Sequence, residues 1–109
     1  MVDDAIKSAV RTYLKKLGDH GIAVTRGIVF GSQATGKAGP WSDIDVLVVS
    51  PRFDGGHRRH DSNLLRRIAA RTDSRIEPLP CGENQWLEDD VSAIIEIARR
   101  EGEEIPIRE

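Results

Sequence analysis

The chain has 109 residues, of which 39% are hydrophobic and 31% are charged, and its formal net charge at pH 7 is -2. This length allows one domain with a single modest core, so we expect residues 1–109 to form one unit. The charge balance excludes a strongly basic polyanion-binding protein, and nucleic acid is not expected as a tight partner.

The cysteine count and the apolar runs also exclude several protein classes. The single Cys81 rules out an internal disulfide framework and is typical of a reducing compartment, which predicts a cytoplasmic location. The acidic start of the chain does not have the pattern of a signal peptide. No stretch approaches the ~18 apolar residues of a membrane span, so we expect no membrane association.

Hydrophobic periodicity predicts a chain in which helices and strands alternate. Apolar residues at three- and four-residue intervals predict helices at 3–17, 61–72 and 90–101, with a short helix between Ser32 and Gly36. Strands are predicted at 22–30, 43–49 and 74–79. We therefore expect an α/β (α+β) fold with a small mixed β-sheet flanked by helices.

The second predicted strand carries two carboxylates at its start. Asp43 and Asp45 are two residues apart, so they project to the same side of the strand. Two like charges this close raise the pKa of one carboxyl or require a cation between them. Hard divalent cations such as Mg²⁺ prefer oxygen ligands of this kind.

The third predicted strand carries one acidic residue, Glu77. A lone glutamate on a short strand is usually solvent-facing, and that interpretation stays open. Pro78 and Pro80 lack backbone donors, so this strand should lie at a sheet edge or end abruptly there.

The stretch from Gly27 to Ser50 contains a dense motif. Gly31-Ser32 follows the first strand, and ten residues later comes Asp43-Ile44-Asp45, which makes the pattern G-S-x10-D-x-D. The segment FGSQATGKAGPWSDIDV resembles the text F-G-S-R-A-x-G-x-A-x-x-x-S-D-I-D-L of the DNA polymerase beta-like nucleotidyltransferase superfamily. It is most similar to the small stand-alone members called minimal nucleotidyltransferases. Gln33 stands where that family commonly has Arg.

The resemblance implies a polymerase-beta-like fold and a reaction. A nucleoside monophosphate, expected to be AMP from ATP, would pass to an acceptor hydroxyl with release of pyrophosphate. Gly31 and Ser32 would bind the triphosphate, since a glycine turn before a helix start suits an anion. Asp43, Asp45 and Glu77 would be catalytic and would hold Mg²⁺, with two ions expected.

The resemblance also implies a partner. We expect no second domain for a large acceptor in these 109 residues, so the acceptor is expected to be small or to be a protein that docks. In the minimal family a helical HEPN-type protein commonly serves as partner, in a toxin–antitoxin system. The acceptor hydroxyl would then lie on that protein. The alternative is a non-catalytic antitoxin, or binding module, that neutralises its partner by contact through a surface around Trp86 and the last helix. A homo-oligomer is a further open alternative.

One motif competes with this interpretation. Residues 31–37 also spell G-x-x-x-x-G-K, the start of a Walker A loop. Ala38 follows where a Ser or Thr would bind Mg²⁺, and Gly39-Pro40 interrupts the helix that such a loop needs. A P-loop protein is therefore not expected.

Several other side chains have both a structural and a functional interpretation. Trp41 is expected to plug its loop against the domain, although it could stack on a nucleotide base. His57 and His60 are expected in a surface loop, although with Cys81 they could form a weak zinc site. The arginines around the third helix form either a solvated face or a surface for polyphosphate, nucleic acid or an acidic partner; they are Arg58, Arg59, Arg66, Arg67, Arg71 and Arg75.

Overall fold

A computed structural model describes residues 2–56 and 59–107 of the chain; His57 and Arg58 lie outside the described residues. The helices are α1 (Asp4–Asp19), α2 (Ser32–Thr35), α3 (Arg59–Thr72), α4 (Glu83–Glu88) and α5 (Ala93–Glu101), with a 3-10 turn at Pro51–Phe53. The strands are β1 (Arg26–Phe30), β2 (Ile44–Ser50), β3 (Ile76–Gly82) and β4 (Glu103–Glu104). None of the described helices combines the length and apolar character that a membrane span requires.

The strands form one four-stranded sheet in the order β3-β2-β1-β4. β1 is antiparallel to both β2 and β4, whereas β2 and β3 are parallel. The predicted mixed sheet is therefore confirmed. β4 was not predicted, because two successive glutamates have no strand-forming pattern and join the sheet through their backbones.

Helices cover both faces of the sheet, and alternate residues of β2 supply the two apolar layers. Val46 and Val48 belong to the core under α1 and α3, and Leu47 and Val49 belong to the core under α5. Because side chains alternate along a strand, Asp45 projects to the same face as Leu47 and Val49.

The first helix begins and packs as its sequence predicts. Asp3 caps it by accepting a hydrogen bond from the Ala5 N–H at 3.1 Å. Inside the core, the Tyr13 hydroxyl donates to the Leu65 carbonyl on α3 at 3.0 Å. This bond joins the two helices that cover one face of the sheet.

The two prolines of β3 lie on an edge strand, which is one of the two arrangements expected for them. The strand continues through both of them to Gly82, and Pro78 and Pro80 pair with Val46 and Val48 of β2. They are two residues apart, so both lack an N–H on the same side, and β3 has a neighbour on one side only. The missing donors therefore cost the sheet no hydrogen bond.

The last helix starts later than the apolar spacing predicts. The Asp89 carboxylate accepts hydrogen bonds from the N–H groups of Val91 and Ser92, both at 2.8 Å, and this side-chain turn delays the helix to Ala93. Val91, which the predicted helix 90–101 includes, therefore lies outside the helix, and its side chain is exposed. Gly102 ends the helix, as predicted.

Candidate active site

A glycine turn joins β1 to α2 and brings the backbone against a carboxylate. Gly31 has φ +74 and ψ -150, a conformation that is open essentially only to glycine. A Cβ at this position would lie 2.5 Å from Oδ2 of Asp45. Glycine is therefore required both for the turn and for the close approach to Asp45, and Ser32 follows at once as the first residue of α2.

The three predicted carboxylates lie at one end of the sheet, where β2 and β3 begin and β1 ends. Asp45 is paired with Phe30, the last residue of β1, and with Glu77 on β3. Asp43 precedes β2 and is two residues before Asp45, so the alternation of side chains puts both on one side. Asp43 and Glu77 are exposed, whereas Asp45 is partly buried. The structure thus brings the two strand carboxylates and the glycine turn together.

Electrostatics make Asp45 the central group of this cluster. Its pKa is raised above the ordinary aspartate value by burial and, next, by the negative charges of Asp43 and Glu77. In the part of the chain that the structure describes, none of the three carboxylates forms an ion pair with a Lys, Arg or His side chain. The cluster therefore concentrates negative charge without a protein cation, which is the environment that suits a bound divalent cation.

The carboxylates share a region without already forming a coordination shell. Over residues 2–56 and 59–107, no three His, Cys, Asp or Glu side chains are close enough together to hold a metal ion. The donor chemistry fits a hard cation, but the side chains would have to converge to ligate it.

Gln33 connects the glycine turn to the first carboxylate. Its side chain is 8% exposed, and its amide nitrogen donates to the carbonyls of Ser42 and Asp43 at 3.3 and 3.4 Å. In the sequence motif, this position is distinguished only because Gln replaces the common Arg. Nothing in the sequence pattern shows where the amide donates, because its partners lie nine and ten residues away across an irregular loop.

Trp41 projects from that loop into solvent and is 91% exposed. The expectation that it plugs the loop against the domain is therefore wrong. Gly39 and Ser42 close a tight turn, in which the Gly39 N–H donates to Ser42 Oγ and the Ser42 N–H donates to the Gly39 carbonyl. The two residues between them are consequently held at the surface.

The Walker-like segment does not form a P-loop, and Cys81 is not placed to bind zinc. α2 has only four residues, so a P-loop helix is absent from the Walker-like segment. Cys81 is 1% exposed in the core under α5, and burial raises the pKa of its thiol to about 11, so it is no zinc ligand as it stands. His60 is exposed at the start of α3. The other histidine of the possible zinc site, His57, lies outside the described residues.

The arginines on α3 are exposed, whereas Arg75, which follows the helix, is partly buried. Arg75 makes a paired contact with the Asp73 carboxylate at 3.1 and 2.8 Å, which holds the turn before β3. The exposed ones on the helix are Arg59, Arg66, Arg67 and Arg71. They form a solvated face in this structure.

Comparison with known proteins identifies the family of this chain. A family model described as "Nucleotidyltransferase domain" matches residues 7–102. Among solved structures, the chain is similar to a protein named "putative nucleotidyltransferase" from Sulfolobus solfataricus, at a TM-score of 0.64 and 13% sequence identity, over 92% of this chain and 78% of that one. A search of curated proteins gave no significant match. The chain therefore belongs to the nucleotidyltransferase domain family, as a small member of the polymerase beta-like superfamily.

Proposed function

We propose that this nucleotidyltransferase transfers AMP from ATP, with Mg²⁺, to a hydroxyl on a helical partner protein of the HEPN type. Family membership supports nucleotidyl transfer in general, and members of the family generally use a nucleoside triphosphate and a divalent metal. The choice of Mg²⁺, of ATP and of a protein acceptor is part of the proposal. A toxin–antitoxin role in the cytoplasm is proposed with it, from the family resemblance and the single buried Cys81.

One observation carries the proposal: Asp45 lies between Glu77 on the next strand and the glycine turn at Gly31. In-line displacement at a phosphorus atom needs negative oxygens neutralised and reactants held in position, and little covalent chemistry from the protein. The backbone N–H groups of such a turn can hold the phosphates, and the carboxylates beside it can hold the divalent cation that neutralises their charge.

Each residue then has a distinct role. The turn at Gly31 and the Ser32 hydroxyl would hold the triphosphate. Asp43 and Asp45 would hold Mg²⁺, which neutralises charge on the phosphates when bound. Glu77 would complete the ligand set and accept the proton of the acceptor hydroxyl. The side chains of Asp43 and Glu77 are exposed, so they are free to move toward a cation.

Label transfer from α-labelled ATP to a co-expressed partner tests the proposal. We expect label on the partner with the parent chain and Mg²⁺, and none with Asp45→Asn or after chelation. Label from γ-labelled ATP would contradict nucleotidyl transfer, because that phosphate should leave with pyrophosphate. A folded, nucleotide-bound chain that labels no hydroxyl acceptor would also contradict it.

A second candidate is control of the partner by contact alone. Large apolar side chains are exposed near the turn between α4 and α5, which favours a binding surface there; they are Leu87, Val91 and Ile94. Trp86 is only partly buried and lies beneath the Arg99 guanidinium, 5.5 Å from the ring centre. Loss of partner control in Asp43→Ala, with binding intact, would favour catalysis. Unchanged control would favour contact alone.

A further inference from the structure

We infer that Gln33 is a positioning residue, which fixes the distance between the phosphate-binding turn and the first carboxylate. The inference rests on the proposed function, since it concerns the same site. Gln33 occupies the second position of α2, and its amide reaches across to the last residues before β2. One side chain thus joins the two ends of the loop that separates Gly31-Ser32 from Asp43.

The hydrogen-bond chemistry at this position requires a donor. Both partners of the Gln33 amide nitrogen are backbone carbonyls, which only accept. An amide nitrogen has two hydrogens, and each can go to one carbonyl. A side chain of similar size without N–H groups would leave both carbonyls facing an apolar group.

Gln33 is buried, so its two hydrogen bonds are not surface contacts. Gln33 is one of three buried polar or charged residues in the described part of the chain, beside Ser50 and Asp61. A buried amide without partners is costly, so the side chain is strongly held in this orientation. A rigidly held amide can transmit its own position to the Asp43 main chain.

The β1–β2 pairing holds the two ends of the loop as far as Phe30 and Asp45, but Asp43 lies before that ladder. From Lys37 to Asp43 the loop forms no helix or strand, and its described internal hydrogen bonds close only the turn between Gly39 and Ser42. The Ile44 N–H donates to the Arg75 carbonyl, so β2 is aligned with the segment before β3. That bond aligns the carboxylate strands with each other, and the β1–β2 pairing places Asp45 beside the turn, whereas Gln33 holds the residues just before β2, including Asp43, against α2.

The consequence concerns metal affinity and chemistry rather than overall folding. Asp43 and Asp45 must converge on a cation while the triphosphate is held at the turn. Small misplacements of reacting groups reduce turnover strongly, on the order of 10²-fold for 1 Å. We expect loss of the Gln33 bridge to lower both Mg²⁺ affinity and kcat, with a smaller change in the KM for ATP.

The test compares Gln33→Met, which has similar size and no donor, with Gln33→Arg, which keeps N–H donors and is the residue common in the family motif. Mg²⁺ binding is followed by the emission of Trp41, two residues from Asp43, in a Trp86→Phe background. We expect Gln33→Met to bind Mg²⁺ about tenfold more weakly, which is the lower end of the loss seen when groups that orient metal ligands are removed, and Gln33→Arg to remain close to the parent. Label transfer should follow the same order.

Gln33→Asn provides a second test if Gln33→Met does not fold. It keeps the amide but is one methylene shorter, so it should also bind Mg²⁺ more weakly than the parent. Equal Mg²⁺ affinity in all three variants would overturn the inference, and so would unfolding of both Gln33→Met and Gln33→Asn, because the bridge would then serve the fold. If the parent itself shows no Mg²⁺ response that Asp45→Asn removes, the proposed function fails and this inference fails with it.

Discussion

Asp45 on β2 lies directly opposite Glu77 on β3 in the parallel strand pair. Both side chains project to the face of the sheet that α5 covers further along the strands. The negative charge of Glu77 contributes to the raised pKa of Asp45, after burial and the charge of Asp43. The site is thus electrostatically unfavourable without a cation, which leads to the first two predictions.

Mg²⁺ should stabilise the folded protein. At ten times its dissociation constant, a cation that binds only the folded state adds about 1.4 kcal/mol to the free energy of unfolding. For a domain of this size, that is a rise in Tm on the order of 5–10 °C. Thermal unfolding with and without Mg²⁺, in the presence of a non-hydrolysable nucleotide, measures it. An equal rise in the Asp45→Ala protein would show that the cation binds elsewhere.

Asp45→Asn should stabilise the metal-free protein at neutral pH. The pKa of Asp45 is raised in the folded state, so its charged form opposes folding at any pH above that folded-state value. As the pH falls through the raised pKa, the folded protein takes up a proton and the penalty disappears. The stability difference between Asp45→Asn and the parent should therefore shrink toward acid pH.

Denaturant titrations over a pH series, with chelator present, measure this difference. Asp45 is only partly buried, so solvent screens part of this penalty and we expect a small effect. Asp90→Asn is a useful control, because Asp90 is exposed between α4 and α5 and is not among the charges that raise the pKa of Asp45. An Asp45→Asn protein that is less stable than the parent at neutral pH would contradict the predicted sign.

Gly31→Ala should disrupt both the fold and the site. Its backbone conformation costs a non-glycine residue about 1–3 kcal/mol, and the new methyl group would meet Asp45 Oδ2 at 2.5 Å. Gly36→Ala is the matched control, since Gly36 also has a positive φ, +78, but an added Cβ meets nothing within 4 Å. That control should lose about 1–2 kcal/mol and keep label transfer.

Unfolding free energies and transfer rates of the two variants separate strain from loss of the site. We expect transfer by Gly31→Ala to fall below detection even where the protein is still folded. Equal transfer rates in the two variants would show that the approach of Gly31 to Asp45 does not matter for the reaction.

The carboxylate pair could be predicted from the sequence because its geometry is local. Alternation along one strand suffices to put Asp43 and Asp45 on one side. The pairing of Asp45 with Glu77 is different, because periodicity does not set the register between two strands that are joined through a helix. The family resemblance assigned Glu77 to the same site as Asp45 without a register, and the structure shows the two residues paired.

The features that the sequence analysis missed depend on side chains that bond to distant or irregular backbone. Asp89 delays the last helix by accepting from two N–H groups, and Val91 therefore lies outside the helix. A turn between Gly39 and Ser42 holds Trp41 in solvent. Apolar spacing carries no information about such turns, so it does not show that Trp41 is exposed or that the last helix begins after Val91.

Cys81 should be inert toward thiol reagents in the native protein. Its side chain is 1% exposed, and burial raises the pKa of the thiol to about 11, so little reactive thiolate is present at neutral pH. Modification should require opening of the surrounding core, so its rate should follow the population of the open state and rise sharply in denaturant. Mass spectrometry after timed exposure to a thiol-specific reagent measures this rate. Prompt modification of the native protein, with label transfer retained, would mean that β3 and α5 separate readily, which the packing of Cys81 against Ile95 and Ala98 does not predict.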